Sequence, residues 1–337
     1  LKAKNISGQA PGGKRTLLAD VLPLETPFLV QIFPIYACNF KCSYCIFSVK
    51  KSERYFISDK VVMPLSLLKK CVDEMTIFPK KIKVLRFVGI GEPLLHKNLG
   101  EMIEYSVRKK IADKVELLTN ASLLTREKGD ELLRAGLDRL VVSVQGTTRE
   151  KYKEICGTDI DFEAFLANLK YFYENRKKTE VYIKVVDTAL DNQKDQERFF
   201  EFFGNYCDTI AVEYTVPIHK GIDYHNVIGH ESRKTQFGLP VKDVKICPQP
   251  FFTMQINPDG KIVPCYSFEY PEFMGDCNTE SVTDIWKGET FRNFRRRMLD
   301  GMENASAICK DCSITKYRQF PEDDLSKNAE RLKKYYE

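Results

Sequence analysis

Tyr36-Ala37-Cys38-Asn39-Phe40-Lys41-Cys42-Ser43-Tyr44-Cys45 follows directly on an apolar, strand-like run from Phe28 to Ile35, and its thiols are spaced Cys-x3-Cys-x2-Cys. On a helix that spacing would put all three cysteines on one buried face, the plain packing reading. Asn39, Lys41 and Ser43 stand between them, after a strand and outside any helical run, which argues for a loop. Zinc in a structural role wants four closed ligands, and no fourth Cys or His lies nearby in this segment. Three sulfurs on a loop can instead hold an iron–sulfur cluster with one iron left open for chemistry.

Similar apolar runs recur along the chain, from Val84 to Val88, Val115 to Leu118, Leu140 to Val144, Val181 to Val186 and Ile210 to Val216. Helix-period segments separate them. Pro64 to Met75 places Leu68, Cys71, Val72 and Met75 on one face, Gly136 stops a helix from Thr125 to Ala135, and Asp161 caps a Phe162, Phe165, Leu166, Leu169, Phe172 stripe. Alternation of this kind predicts parallel βαβ units. Six units are too few for a closed eight-stranded barrel, and the periodicity supports either a partial barrel or an open doubly wound sheet. Both put ligands at the C-terminal ends of the strands. The cysteine triad, Gly89-Ile90-Gly91-Glu92, Asn120 and Ser143-Val144-Gln145-Gly146 all fall at such ends.

Residues 1–25 lack periodicity and read as a tether or a covering strap, 26–216 as the repeated units, and 217–246, rich in Pro and Gly, as a connecting segment. A smaller cysteine-bearing domain spans 247–315, with a hairpin from Phe251 to Cys265 turning at Pro258-Asp259-Gly260 and a helix from about Val282 to Met298. A charged helix occupies 316–337. Arg292, Arg295, Arg296 and Arg297 interleave with Phe291, Phe294, Met298 and Leu299 at helical spacing, the mark of a solvated helix face.

The 52 basic and 47 acidic residues leave a net charge of +5, a mild excess that does not demand nucleic acid, and no docking module for nucleic acid is found. No apolar stretch approaches the roughly 20 residues of a membrane span, and no secretory signal is evident, so a cytoplasmic protein without a membrane partner is expected. In a reducing compartment the 11 cysteines, grouped in two short-spaced sets, point to metal binding over disulfides.

The triad, with an aromatic before its last cysteine and followed by Phe87-Val88-Gly89-Ile90-Gly91-Glu92-Pro93, resembles the radical S-adenosylmethionine (radical SAM) enzymes. The resemblance covers about residues 28–315. It implies a partial (β/α)6 TIM-like barrel followed by a small α+β auxiliary-cluster domain of the twitch or SPASM kind. It also implies a 4Fe-4S cluster on Cys38, Cys42 and Cys45, whose open iron chelates S-adenosylmethionine and cleaves it to a 5'-deoxyadenosyl radical. Gly89, Gly91 and Glu92 would bind the amino group, Asn120, Ser143 and Gln145 the ribose and carboxylate, and Tyr44 would lie along the adenine. Ile90 and Ala121 stand where the family often has glycine.

Cys247-x17-Cys265 and Cys309-x2-Cys312 suit a zinc ribbon or a cluster by spacing alone. By resemblance they would ligate a second, fully held 4Fe-4S cluster acting as an electron relay. Cys277, where the family usually has an apolar residue, is the candidate hydrogen donor for an epimerisation, with an inert thiol or an extra cluster ligand as the plainer readings. Dehydrogenation of an alcohol to a ketone is the rival reaction, and a non-catalytic zinc-ribbon module the remote one. The substrate would be a sugar, an aminocyclitol or a peptide residue, and the reductant an external one-electron carrier such as flavodoxin or ferredoxin. Cys71, Cys156 and Cys207 read as packing residues, His219, His225 and His230 as surface residues of the connecting segment beside Asp223 and Glu231, with contact to a polar substrate or a metal as the alternative, and His96 as part of the loop after the glycine turn.

Overall fold

Strands form where the apolar runs lie, and the register between them decides what faces the site. The computed structural model describes residues 2–54, 60–229, 232–266 and 269–337, so His230 and Glu231 lie outside the described residues. The strands are β1 (Lys4–Asn5), β2 (Leu29–Ile32), β3 (Ile82–Phe87), β4 (Ala112–Thr119), β5 (Arg139–Val144), β6 (Glu180–Val186), β7 (Thr209–Glu213), β8 (Thr253–Ile256), β9 (Lys261–Val263) and β10 (Gly275–Asp276). One sheet holds all ten in the order β1-β7-β6-β5-β4-β3-β2-β8-β9-β10. β2 to β7 pair parallel and in sequence order, the arrangement of a barrel wall.

The crossovers are α1 (Leu65–Met75), α2 (Leu99–Lys109), α3 (Arg126–Arg134), α4 (Arg149–Cys156), α5 (Phe162–Asn175) and α6 (Gln193–Phe203). Side chains of Thr125, Thr148, Asp161 and Asn192 each accept a backbone N–H at a helix start, satisfying donors that the helix leaves unpaired. All six helices pack into one apolar core, against Val30, Ile32, Leu85, Phe87, Leu117, Leu140 and Val142. A doubly wound sheet would split its helices between two faces. Their collection on one face settles the alternative in favour of the partial barrel.

The other face carries a polar belt at one level: Gln255, Gln31, Arg86, Glu116, Arg139 and Glu180 stand in register across six neighbouring strands. Glu116 is buried between Arg86 at 2.8 Å and Arg139 at 3.3 Å. Burial alone would raise its pKa, but the two guanidinium groups outweigh it and hold the carboxyl below its ordinary value.

Four expectations differ from the structure. Residues 1–25 are more than a tether, since β1 adds a parallel strand beside β7 and Ala3, Ile6, Leu18 and Leu22 are buried. The helix expected over Val282–Met298 breaks at Gly288 into α7 (Val282–Lys287) and α8 (Glu289–Leu299). The C-terminal helix is a set of short pieces, interrupted where Pro321 begins a single 3-10 turn. Arg295 is buried: its guanidinium lies over the Trp286 and Phe291 rings and donates to Pro250 O and Trp286 O. Among the described residues no helix is long and apolar enough to cross a membrane.

Candidate metal and cofactor site at the strand ends

The chain leaves β2 at Ile32 and reaches Cys38 through a segment packed on the β3 turn. Glu92 N–H donates to Ala37 O at 2.8 Å. Gly91 makes this possible: its φ is +148°, and a Cβ there would strike Ile35 O and Ala37 O. A Cβ on Gly89, at φ +153°, would meet the Phe33 ring at 2.8 Å. Both glycines therefore serve close approach of the cysteine loop to the β3 end.

Cys38, Cys42 and Cys45 lie near enough to sense one another's charge, although among the described residues no three Cys, His, Asp or Glu side chains converge as a preformed metal site. Burial chiefly, and the negative charge of the other two thiols among lesser causes, push Cys38 up to about 12. Cys45 also reaches about 12, again through burial and then Cys42. Thiols this costly to ionise in isolation become thiolates when a cation takes the proton's place, and such a set fits a cluster. Cys42 is raised first by a hydrogen bond with the Cys156 thiol and then by burial.

Glu92 is 2% exposed, and its carboxylate accepts from Leu94 N–H at 2.9 Å, Thr119 Oγ1 at 2.6 Å and Asn120 N–H at 2.7 Å. It stitches the end of β3 to the end of β4, with little acceptor capacity left for a ligand. Burial raises its pKa to about 6 against those three donors. Asn120 donates to Asn39 Oδ1 at 3.1 Å and accepts from Ser122, tying the β4 end to the cysteine loop. Ala121 has a φ of +56°, the left-handed conformation that explains a glycine preference there. The Tyr44 hydroxyl donates to Gln145 Oε1, and Gln145 Nε2 donates to Ser143 O at 3.1 Å, so Tyr44, Gln145 and Ser143 meet at the β5 end.

The structure thus gathers Cys38, Cys42, Cys45, Tyr44, Gly89, Gly91, Glu92, Asn120, Ser143 and Gln145 at one mouth. Sequence reasoning missed Asn39, Thr119 and Ser122, which brace it, and Tyr224, whose hydroxyl donates to Tyr44 O at 3.1 Å. Thr119 and Asn39 adjoin quoted motif residues, a signal that could have found them. Tyr224 starts a short helix, Tyr224–Ile228, in the connecting segment, where no motif signals it. His219 is buried, against the surface reading: burial first, then Arg318, lowers it to about 3. His225 is exposed, and His96 is buried in the loop after the glycine turn, bonded to Met63 O at 2.9 Å.

The second group is built at the far end of the chain. Cys247, Cys265, Cys309 and Cys312 line one pocket together with Phe294 and Met298 and the polar Gln249, Glu269 and Thr315. Thr315 Oγ1 donates to Cys247 Sγ at 3.1 Å, and Ser306 Oγ accepts from Cys309 N–H at 3.2 Å. Four thiols on the wall of one pocket are the donors that a fully ligated cluster takes. A second cavity adjoins it, lined by Ile46, Ile218, His219, Lys220, Asp311 and Cys312 among others. Cys312 stands on the wall of both.

Cys277 takes no part in either group. It is fully buried, its thiol interacts with that of Cys71 on α1, and Lys70 and Glu74 of the same helix are its charged neighbours. It follows the two-residue strand β10 and packs in the core beside α1, away from both thiol groups, so the structure favours packing over the expected hydrogen-donor role.

Parallel β/α winding, an open three-thiol loop at the strand ends and a four-thiol annex define a cluster-dependent redox enzyme. The profile of the radical SAM superfamily matches residues 32–202, half of the chain, and that of an iron–sulfur cluster-binding domain, SPASM, matches 247–313. The chain belongs to the radical SAM superfamily, and its cofactors are S-adenosylmethionine and 4Fe-4S clusters. It is similar to a probable GTP 3',8-cyclase of Saccharolobus islandicus, 24% identical over 304 residues, covering 82% of this chain and 92% of that one. Among solved structures it resembles Streptococcus suis SuiB bound to S-adenosylmethionine, with a TM-score of 0.63 and 15% identity over 91% of this chain and 77% of that one. It also resembles BtrN in complex with AdoMet and 2-DOIA, with a TM-score of 0.52 and 18% identity over 87% and 96%. Both likenesses concern the fold.

Proposed function

We propose that this radical SAM enzyme is a dehydrogenase that oxidises an alcohol of a polar substrate, a sugar, aminocyclitol or peptide residue, to a ketone. The observation that carries this reading is the place of Cys312 between the four-thiol cavity and the cavity beside the cysteine loop. A substrate in the second cavity would touch Ile46, next in the chain to the ligand Cys45, and Cys312, one of the residues that would hold the auxiliary cluster. When bound, the clusters and S-adenosylmethionine supply a hydrogen-abstracting radical and a sink for the electron that the substrate gives up.

The chain's own groups do the rest. Cys38, Cys42 and Cys45 hold one cluster, Cys247, Cys265, Cys309 and Cys312 the other, and the β3, β4 and β5 ends hold the S-adenosylmethionine. Asp311 on the cavity wall takes the hydroxyl proton as the ketone forms. His219 stays neutral and orients the substrate by hydrogen bonding. Epimerisation needs a thiol that returns hydrogen, and among the described residues this cavity has no cysteine besides Cys312.

The test is turnover in heavy water by anaerobically reconstituted enzyme with an external reductant and a panel of sugars and aminocyclitols. The expected product is two hydrogens lighter than its substrate, with 5'-deoxyadenosine formed alongside. A product of unchanged hydrogen count carrying one deuterium at an inverted carbon would overturn the reading.

A further inference from the structure

Cys71, Cys156, Cys207 and Cys277 lie outside both ligand sets, and their surroundings differ. Cys207 donates to Phe203 O, and Cys71 and Cys277 meet each other within rigid packing. Cys156 alone meets a cluster ligand. It ends α4, where the last carbonyls of a helix lack donors of their own. The cysteine loop supplies them: Lys41 N–H donates to Cys156 O at 2.9 Å and Ser43 N–H to Ile155 O at 2.8 Å. Cys42, held between those two bonds, lies across the helix end beside Cys156, and the two thiols interact electrostatically. Cys156 is fully buried and Cys42 is 9% exposed, so the pair is reached from solvent only on the Cys42 side.

We propose that Cys42 and Cys156 form a reversible disulfide in the metal-free chain, withholding one of the three ligands from the radical cluster. The Cys42 sulfur can bond to iron or to Cys156, and these states exclude each other. With hydrogen peroxide as oxidant, the two S–H bonds and the peroxide O–O bond break, one S–S bond forms, and two waters leave. The two sulfurs are oxidised and the peroxide is reduced. Without Cys156, the sulfenic acid first formed on Cys42 has no thiol on the helix end to resolve it and can advance to the irreversible sulfinic acid. Cys156 thus protects a ligand as well as blocking it.

The full-length metal-free chain, treated with hydrogen peroxide and digested without reductant, should yield a cross-linked peptide pair containing Cys42 and Cys156. The same treated chain should take up one cluster's worth of iron less than the untreated chain, and dithiothreitol should restore the loss. In Cys156→Ala, and in Cys156→Val should the smaller residue unfold the core, the cross-link should vanish and the iron loss should resist dithiothreitol. Cys42 joined instead to Cys38 or Cys45, or an oxidised wild-type chain that loads both clusters unaided, would overturn the proposal. Neither measurement requires turnover, so the result is independent of which reaction the enzyme catalyses.

Discussion

Glu92 carries three hydrogen bonds at its carboxylate and still has a pKa raised to about 6, because burial outweighs them. A carboxyl raised from 4.5 on folding stabilises the fold most when protonated: the contribution is full below the unfolded value and is lost as pH rises through about 6. Comparing the metal-free wild type with Glu92→Gln by denaturant midpoint, the wild type should gain about 2 kcal/mol relative to the variant between neutral pH and about pH 4. A difference that stays constant over that range would show the carboxyl to be unperturbed. Gly91→Ala acts at the same place by shape: the added methyl meets the backbone just before Cys38. We expect it to lower stability by about 1–3 kcal/mol and to remove one cluster's worth of iron, leaving the auxiliary cluster. Iron analysis beside far-ultraviolet dichroism would check both effects, and full iron loading would contradict the close packing described.

At the scale of elements, α2 ends on Lys110, exposed and left-handed at a φ of +55°. Lys110→Gly relieves that backbone without removing any packing, and should raise the unfolding free energy by about 1 kcal/mol in denaturant titration. All six crossover-linked strands were legible in the sequence, because each is an apolar run between helix-period segments, and the stops at Gly136 and the cap at Asp161 obey local rules. Which face each residue took was not. The polar belt from Gln255 to Glu180 depends on register between strands far apart in sequence. The break at Gly288 was masked by apolar spacing that continues across it. β1 has no local signal, since two residues pairing with β7 owe their conformation to a partner some 200 positions away. The packing of Cys277 was hidden for the same reason. The cysteine loop, by contrast, was readable because ligand spacing is itself local.

Across the whole molecule, the pairing of β8 with β2 makes the auxiliary domain a continuation of the barrel sheet. Tyr36, just before the cysteine loop, donates to Asn257 Oδ1 at 2.6 Å beyond β8, and Trp286 Nε1 donates to Leu24 O at 3.0 Å. The two regions should therefore unfold together. Trp286 is the single tryptophan, buried in the auxiliary region, so its fluorescence and the far-ultraviolet dichroism of the metal-free chain should trace coincident denaturant transitions. Separate midpoints would show that the shared sheet does not couple them.

The two outermost strands have a bearing on solubility as well. An open sheet of ten strands could template the addition of foreign strands along either border, through rows of unanswered N–H and C=O groups. Here both borders are only two residues long, Lys4–Asn5 on one side and Gly275–Asp276 on the other, and each carries a charged side chain. The sheet thus presents almost nothing for another chain to zip onto, a safeguard against aggregation while the protein waits for its metal.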